Sequence, residues 1–442
     1  MTNRRNVELR LGLFAVAITA IGYVLVQFAD KTAIPADLWL FVSIFIALYV
    51  LAHLVVRQLA PDADPVLLPL AAFLNGIGFV TISRLDPDLA RTQVGWMAAG
   101  VAAFGGTLMV VRRIRTLERY RYTFLLIGVG ALLLPLAPGI GKTINGARLW
   151  VGIGPLNFQP GEAAKVLLVI FFAAYLVDKR ELLASGSRRL GRLVLPDPKH
   201  LGPLLLAWAV SILVMVRQKD LGSSLLFFAV FGAMLYAATE RAAYLLTAFV
   251  LFIGGAGIAY QLFGHVQERV STWFHPFDDP SGKSYQVVQS MFGLANGGIS
   301  GKGLGRGNPE LIPNAATDFV FSAIGEELGL IGTCAVIIAF LLFIGSGFRT
   351  ALQSERPFPK MFAAGLTVII GVQAFVIIGG VIRVIPLTGI TLPFISYGGS
   401  SLVANFVILA LLLRISDDNA RAGAAGGRRG ARPAAAGVGA TS

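Results

Sequence analysis

Two adjacent aspartates, Asp278 and Asp279, stand out in a chain that is mostly apolar. They lie in the stretch WFHPFDDPSGKSYQVVQS, residues 273–290, where Pro280 and a glycine follow in a pattern typical of a turn. In one interpretation the turn is solvated and an aspartate caps a helix that begins near Ser284. In the other, a carboxylate acts here as a general base or a metal ligand. Adjacent side chains of an extended chain point to opposite sides, so at most one aspartate is central.

A second charged group lies in the motif QPGEAAK, where Glu162 and Lys165 are three positions apart. On a helix this spacing places both side chains on one face, and pairing lowers the cost of charge inside a membrane span. The pair could only help packing, or it could form the polar floor of a cavity. Arg148, in GARLW, is either an interfacial anchor or a second cation. Arg148 and Lys165 together could bind a pyrophosphate group, with Glu162 orienting Lys165.

Other acids lie at or near the start of later apolar runs. Asp220, in KDLGSS, is predicted to cap a helix. Thr317 and Asp318 precede another helix and could cap it as well. Glu326 and Glu327 lie about two turns deeper, where packing alone does not readily account for two acids.

Three features bear on other kinds of chemistry. The stretch GKGLGRGN, residues 301–308, lacks the glycine and lysine order of a Walker motif, and we interpret it as a flexible loop. The four histidines show no metal-binding spacing. The single cysteine, Cys334, cannot form an internal disulfide.

The elements that must position these residues are membrane-spanning helices. Of the 442 residues, 55% are hydrophobic and only 14% are charged, which is typical of a polytopic membrane protein. A spanning segment must be helical because lipid cannot satisfy an open backbone. The predicted fold is therefore all-α, with about twelve transmembrane helices. The apolar runs of spanning length lie near residues 11–29, 38–56, 66–83, 92–111, 122–140, 160–177, 201–216, 222–239, 243–263, 319–348, 361–382 and 398–413.

The net charge of +13 is attributed to the positive-inside rule, and nucleic acid is not expected as a partner. With the N-terminus in the cytoplasm, the inner segments carry 24 Lys and Arg residues and the outer segments 12, and Lys165 inside a span completes the 37. Both termini are thus predicted to be cytoplasmic. Three polar segments, 141–165, 264–318 and 383–401, then face outward together, which predicts one extracytoplasmic site made from three loops.

Six segments, in this order along the chain, resemble the SEDS family, to which RodA and FtsW proteins belong. The resemblance covers roughly residues 66–414 and implies a ten-helix core with a large extracytoplasmic loop, 264–318. Residues 1–65 then form a cytoplasmic segment and two additional helices, and the Ala-, Gly- and Arg-rich end, 415–442, is predicted to be a disordered cytoplasmic tail. The six segments are NGARLW, QPGEAAK, KDLGSSLL, WFHPFDDPSGKSYQVVQS, ATDFVFSAIGEELGLIG and IPLTGITLPFISYGGSSL.

The resemblance implies a peptidoglycan glycosyltransferase that polymerises lipid II into β-1,4 glycan strands on the outer face of the cytoplasmic membrane. The two additional helices and the Arg-rich composition look most like RodA-type proteins of actinobacteria, which act in elongation and cell shape. An FtsW-type role in division stays open. The family also implies a partner, a class B penicillin-binding protein that acts as the transpeptidase.

The family's essential aspartate corresponds to Asp279, directly before Pro280, whose ring restricts Asp279 to an extended backbone. An α-linked pyrophosphoryl donor that gives a β-linked glycan implies inversion, so one base on the acceptor hydroxyl suffices. The leaving pyrophosphate needs cations, and a divalent ion, Mg²⁺ or Mn²⁺, could assist. The resemblance and the residue types give the predicted substrate-binding set Arg148, Gln159, Glu162, Lys165, Thr317, Asp318, Ser396 and Tyr397.

The sequence departs from the family pattern at three places. Gly161 stands where serine is common, Ala316 stands where histidine is frequent, and Leu387 lies near a position at which FtsW-like sequences carry lysine. None of these departures removes the acid of the long loop.

Two other classes of function are considered. A flippase for the same lipid-linked precursor would also need many spans and charges, but along a route across the bilayer. A scaffold that recruits cell-wall proteins would not need Asp279 near a cationic pocket. The clustering of polar residues on the outer side favours the glycosyltransferase.

The topology can be tested by labelling single cysteines at positions 283 and 302 in a Cys334→Ala background. We expect an impermeant thiol reagent to label both positions in intact cells, because the loop 264–318 is predicted to face outward. A cysteine placed at position 119, in an inner segment, should label only after lysis. The reverse pattern would show that the orientation is inverted.

Overall fold

The chain folds into a bundle of long helices, described here from a computed structural model. The structure describes all residues except 1, 31–37, 145, 154–155, 186–187, 191–192, 196–197, 219 and 431–442. In chain order, the α-helices of the described residues are α1 (Thr2–Asp30), α2 (Leu38–Leu59), α3 (Leu67–Leu85), α4 (Pro87–Val110), α5 (Arg115–Arg119), α6 (Arg121–Leu133), α7 (Pro160–Asp178), α8 (Arg180–Ser185), α9 (Pro198–Arg217), α10 (Leu221–Thr239), α11 (Ala242–Leu262), α12 (Gly264–Phe274), α13 (Tyr285–Gly297), α14 (Val320–Leu352), α15 (Pro357–Val381) and α16 (Gly399–Gly430).

Short antiparallel strands form two of the connections between helices. In the connection from α6 to α7, the middle strand pairs with both of its neighbours, with Lys142 opposite Trp150 and Val151 opposite Phe158. The strands are β1 (Gly141–Ile144), β2 (Ala147–Ile153) and β3 (Leu156–Phe158), and, between α8 and α9, β4 (Arg188–Leu190) and β5 (Leu193–Leu195).

Ten helices within the described residues are long and apolar enough to cross a membrane. The prediction of an all-α polytopic membrane protein is confirmed, whereas the predicted number of twelve spans is wrong. Two of the predicted spans, 122–140 and 201–216, are not among these ten helices. The second lies in α9, for which the structure describes only some of the side chains. The ten candidate spans lie within α1, α2, α3, α4, α7, α10, α11, α14, α15 and α16.

Prolines explain why the apolar run 122–140 contains a shorter helix than predicted. Helix α6 ends at Leu133, and a 3₁₀ turn over Leu134–Leu136 contains Pro135. Proline lacks the backbone N–H that an α-helix interior requires, so the helix ends although the sequence stays apolar. The 13 residues of α6 span about 20 Å, less than the bilayer core of about 30 Å.

Helix α6 nevertheless lies antiparallel along α7. At its start, Arg121 donates to Asp178 Oδ2 at 3.3 Å, near the end of α7. At its end, Gln218 Nε2 donates to Leu132 O at 2.5 Å, and Gln218 O accepts from Arg148 N. Arg180 and Glu240, which closely follow the ends of α7 and α10, pair at 2.9 Å. These two helices therefore finish at the same end of the bundle.

The N-terminal helices pack closely on the rest of the bundle. A Cβ on Gly76 of α3 would overlap Thr19 of α1, so the two helices approach at the glycine. Near the start of α1, the buried Glu8 accepts hydrogen bonds from Arg5 and from His53 Nδ1 of α2. The ion pair with Arg5 lies within α1, whereas the bond from His53 joins α2 to α1.

The C-terminal helix extends beyond the boundary predicted at residue 415. Arg414 donates to three backbone carbonyls, those of Leu59, Leu108 and Val111, at 2.6–2.9 Å. One turn further, the buried Asp417 accepts from Asp62 N at 2.8 Å. These contacts join α16 to backbone groups at or near the ends of α2 and α4, which lack partners within their own helices. The predicted tail residues 431–442 lie outside the described residues.

The long loop between α11 and α14 contains helices α12 and α13 and then returns to the bundle at Glu326 and Glu327. Glu326 Oε1 accepts from Asn308 N at 3.0 Å, and Glu327 Oε1 accepts from Gly305 N at 3.1 Å. Arg84 of α3 lies 3.3 Å from Glu327 Oε1 and neutralises it. The segment 301–308 is therefore held by two buried carboxylates, which contradicts the predicted flexible loop.

A break inside α14 permits this contact. Gly329 has φ +67°, and the backbone N–H groups of the following residues, Leu330 and Ile331, donate to Gly298 O and Ile299 O. A Cβ at position 329 would lie 2.5 Å from Ile299 O. The position therefore requires glycine for both its dihedral angle and its close approach.

The variant Gly329→Ala should lower the thermal unfolding temperature of the detergent-solubilised protein, because the left-handed conformation alone costs an L-residue about 1–2 kcal/mol. The matched control is Gly345→Ala in the same helix, where an added Cβ meets no atom within 4 Å. The control should be neutral or slightly stabilising, since alanine favours helices. Equal unfolding temperatures for the two variants would contradict the assigned role of the break.

Candidate functional site

The turn that carries the two aspartates is closed by Asp279. Its carbonyl accepts from Gly282 N at 3.3 Å and from Ser284 N at 3.2 Å, and its Oδ2 accepts from Lys283 N at 3.0 Å. A Cβ on Gly282 would lie 2.5 Å from Asp279 Oδ1, so this glycine leaves room for the carboxylate. Both Asp278 and Asp279 are exposed. Asp279 is thus held by its own turn while its carboxylate remains accessible.

Next to this turn lies a cavity of about 220 Å³, at the end of the bundle where α15 finishes and α14 begins. Lys283, which follows the aspartate turn, lines the cavity. Its apolar walls include Trp273, Val287 and Leu387. Its charged or titratable lining residues are His265, Glu268, Arg269, Lys283, Asp318 and Arg383.

Arg269 and Asp318 face each other across Gly389. A Cβ on Gly389 would lie 3.5 Å from Arg269 Nη2 and 3.6 Å from Asp318 Oδ2. Arg269 Nη1 also donates to Leu387 O at 3.0 Å. Burial raises the pKa of the Asp318 carboxyl to about 6, although Arg269 and a hydrogen bond from Thr317 act to lower it. The cavity therefore contains a carboxyl group whose pKa is raised by burial, beside a cation held by the backbone.

A reciprocal pair of hydrogen bonds joins α12 to the segment after α15. Trp273 Nε1 donates to Arg383 O at 2.9 Å, and Arg383 Nη2 donates to Trp273 O at 2.6 Å. Arg383 has φ +61°, an unusual conformation for a residue other than glycine. The pair holds the Arg383 side chain at the cavity despite this backbone strain.

Ser396 and Tyr397 connect the last loop to the start of α14. Ser396 Oγ donates to Thr317 O at 2.5 Å and accepts from Leu392 N at 2.9 Å, and Tyr397 N donates to Ala316 O at 2.8 Å. These bonds fix residues 316 and 317, and so the position of Asp318. In this structure, Ser396 and Tyr397 position the cavity wall.

The predicted pair on α7 forms, with Lys165 Nζ 2.6 Å from Glu162 Oε2. Lys165 is only 3% exposed, and its Nζ also donates to Gln373 Oε1 of α15 at 2.9 Å. Gln373 Nε2 in turn donates to Thr391 O at 2.8 Å. Lys165 is thus the centre of a buried polar network that joins α7 to α15 and to the last loop.

Two further predicted residues lie at helix starts near this network. Gln159 N, just before α7, donates to Ser400 Oγ of α16 at 2.9 Å. Asp220 caps α10, as predicted, by accepting from Ser223 N at 2.9 Å. Burial raises the pKa of the Asp220 carboxyl, and the Glu162 charge raises it further.

Arg148 does not share partners with Lys165. Arg148 Nη2 donates to Ala137 O at 3.0 Å, and its backbone N donates to Gln218 O. The guanidinium therefore ties β2 to the residue that follows the 3₁₀ turn after α6. The structure does not bring Arg148 and Lys165 together as the two cations of one anion site.

The three outer segments of the sequence analysis meet at one end of the bundle, but only Asp318 of the predicted substrate-binding residues lines the cavity. The other cavity residues, above all Arg269 and Arg383, were missed. Arg269 precedes the aspartate motif within the long loop, and Arg383 begins the segment RVIPLTG. The sequence could have indicated them, because both are arginines in segments that were already predicted to form the site.

No group of three or more His, Cys, Asp or Glu residues suited to a metal ion occurs among the described residues. Mg²⁺ is often held by only one or two carboxylates together with substrate phosphates. The exposed Asp279 carboxylate fits that mode, in which the substrate supplies the remaining ligands.

The fold and this site define a polytopic membrane protein with a charged cavity at the level where its spans end. The chain belongs to the cell cycle protein family of FtsW, RodA and SpoVE, whose model matches residues 75–421. The family resemblance seen in the sequence is thereby confirmed.

Individual relatives are similar over most of the chain. The peptidoglycan glycosyltransferase RodA of Mycobacterium tuberculosis is 44% identical over 94% of this chain and 91% of its own length. The probable peptidoglycan glycosyltransferase FtsW of Geobacter metallireducens is 35% identical, over 80% of this chain and 94% of its own.

Solved structures share the fold. The rod shape determining protein RodA of Thermus thermophilus is 26% identical, with a TM-score of 0.57, over 81% of this chain and 97% of that one. A chain from a structure described as structural coordination of polymerization and crosslinking by a peptidoglycan synthase complex is 27% identical. Its TM-score is 0.66, over 81% of this chain and 98% of that one.

The buried network on α7 can be tested with a double-mutant cycle. Lys165→Met alone leaves Glu162 buried without its cation, a change that typically costs 3–5 kcal/mol. Glu162→Gln combined with Lys165→Met removes both charges and should restore most of the lost unfolding temperature. The measurement is thermal unfolding of wild type, both single variants and the double variant. Additive losses would show that the two residues do not act as a pair.

Proposed function

We propose that the chain is a RodA-type peptidoglycan glycosyltransferase that polymerises lipid II into β-1,4 glycan strands for cell elongation and shape. Relatives named as RodA glycosyltransferases match nearly its whole length. The observation that carries the proposal is the cavity of about 220 Å³ at the end of the spans, with Asp279 beside it. A lipid-linked sugar would present its reactive end at this level of the membrane.

In the proposed reaction, the acceptor hydroxyl oxygen attacks the anomeric carbon of the donor sugar, and a new C–O bond forms with inversion. The bond from that carbon to the pyrophosphate breaks, and its electron pair leaves with the pyrophosphate. The hydroxyl proton passes to the Asp279 carboxylate, which acts as general base. The leaving group is a weak base, so it requires cations and no proton.

The exposure of Asp279 and the turn that holds it support this role. Its Oδ2 accepts from Lys283 N, which restrains the carboxylate without burying it, so it remains a proton acceptor that a substrate can reach. In the alternative form of the proposal, Asp279 would hold Mg²⁺ or Mn²⁺ in place of acting as the base, and the ion would supply the positive charge that activates the acceptor hydroxyl.

We also propose that the cavity faces outward and that both termini are cytoplasmic. The twofold excess of Lys and Arg in the segments at the opposite end supports this orientation. A class B penicillin-binding protein is the proposed partner. Its support is the similarity to a chain from a structure described as a peptidoglycan synthase complex.

The arrangement favours a polymerase over a flippase. The charged residues that line the cavity come from α12, from the turn after it and from the segments at the ends of α14 and α15. A flippase would require polar groups along a path through the bilayer. The lining charges are instead gathered where the spans end.

The role of Asp279 is tested by lipid II polymerisation with purified protein. Asp279→Asn keeps the shape of the side chain but removes its charge, and we expect a rate loss of about 10²–10⁴-fold. The matched control is Asp278→Asn, equally exposed and one residue away, which should cost much less. Unfolding temperatures of both variants should stay near that of wild type.

Other results would redirect the assignment. If Asp278→Asn were inactive and Asp279→Asn active, the base would be the neighbouring residue. If both variants polymerised normally, the turn would be structural and the base would lie elsewhere.

A further inference from the structure

The cavity beside Asp279 is lined by more positive than negative side chains. Arg269, Lys283 and Arg383 contribute cations, and Glu268 and Asp318 contribute carboxyl groups. These cations come from three separate parts of the chain, and two are held by hydrogen bonds to backbone carbonyls. Such fixed guanidinium groups suit a bound anion better than they suit a solvated surface.

Within the part of the chain that the structure describes, both arginines have N–H groups that donate to no protein acceptor. Arg269 donates through Nη1 to Leu387 O, while its Nη2 lies beside Gly389, where the missing Cβ leaves space. Arg383 donates through Nη2 to Trp273 O and through Nη1 to Met291 Sδ at 3.5 Å, and each of these two nitrogens carries a second N–H. A guanidinium has five N–H donors, so each arginine can still bind phosphate oxygens.

The level of the cavity indicates what kind of anion it suits. Gly380, near the end of α15, and Asp318, just before α14, both line it, so it lies where two spans end. Lipid phosphates occupy this headgroup level. Trp273, Val287 and Leu387 add apolar surface beside the cations, as a prenyl chain requires.

Backbone strain at Arg383 is an independent observation. Its φ of +61° is costly for a residue with a side chain, and the reciprocal bonds with Trp273 maintain it. Strained residues of this kind concentrate at ligand-binding sites, where the surrounding structure holds a side chain in place for a partner.

We propose that this cavity is the subsite for the diphosphate of a polyprenyl-linked donor, with Arg269 and Arg383 as the residues that bind it. The assignment deepens the proposed function and rests on it for the identity of the sugar. It replaces the predicted pair of Arg148 and Lys165, which the structure places on different partners. Asp279 lies at the rim of this subsite through Lys283, so the base and the leaving group share one site.

The test is equilibrium binding of farnesyl diphosphate to the full-length protein in detergent, followed by phosphorus NMR or calorimetry. Arg269→Gln should weaken binding about 10- to 100-fold, because one charged hydrogen-bonding group is lost. Arg269→Lys and Arg383→Lys keep the charge but lose the planar guanidinium that can bind two phosphate oxygens at once. Each variant should weaken binding about 10-fold. The matched control is Arg306→Gln, an exposed arginine of the same loop outside the cavity, which should bind as wild type does.

Two further probes identify the ligand chemistry. Farnesyl monophosphate should bind at least 10-fold more weakly than the diphosphate, and inorganic pyrophosphate should bind more weakly because it lacks the prenyl chain. Equal binding of the monophosphate would overturn the diphosphate assignment. Equal binding of pyrophosphate would overturn the lipid assignment. Unfolding temperatures identify any variant that fails to fold, and the two lysine variants then carry the test.

Lipid II polymerisation separates this inference from the proposed function. Suppose that the wild-type protein polymerises lipid II and that the Arg269 and Arg383 variants bind farnesyl diphosphate normally. This result would overturn the subsite and leave the proposed function intact. Suppose instead that the wild-type protein binds farnesyl diphosphate in an Arg269-dependent way but does not polymerise lipid II. This result would overturn the proposed function and leave the assignment of the subsite intact.

Discussion

The rest of the site depends on how the long loop satisfies its backbone where it returns to the bundle. At this depth water is scarce, and an unpaired N–H group is costly. Glu326 and Glu327 accept from the loop backbone at Asn308 and Gly305, while Arg84 offsets the charge of Glu327. The break at Gly329 opens α14 so that the loop can bond to it. Once the loop is anchored there, its remaining residues can build a cavity at the ends of the spans.

The cavity is then completed by segments that fix one another. Ser396 and Tyr397 hold residues 316 and 317, which sets Asp318 opposite Arg269. Trp273 and Arg383 hold each other across a sequence separation of 110 residues. Each wall is thus restrained by another wall as well as by its own helix. Geometry of this kind keeps charged side chains in place without a substrate, which lowers the cost of binding one.

Local patterns in the sequence predicted the local features of this site. The spacing of Glu162 and Lys165 predicted their ion pair, and Asp220 caps its helix as expected. The three polar segments meet at one end of the bundle, and the outward orientation of that end, inferred from the charge distribution, stays a prediction. One of the two surplus spans, the run 122–140, was predicted because hydropathy does not register the prolines that shorten α6. Arg269 and Arg383 were missed because their positions depend on contacts between distant segments, which periodicity cannot reveal.

The structure separates two kinds of cation that look alike in the sequence. Lys165 is 3% exposed and bound on both sides, so its charge serves to join α7, α15 and the last loop. Arg269 and Arg383 instead line an open cavity, where each is held by a hydrogen bond to a backbone carbonyl. The buried network nevertheless affects the cavity, because Gln373 binds Thr391 in the same loop that carries Gly389 and Ser396. Charge in the span thus positions the loop, and charge in the loop lines the cavity that we propose as the substrate site.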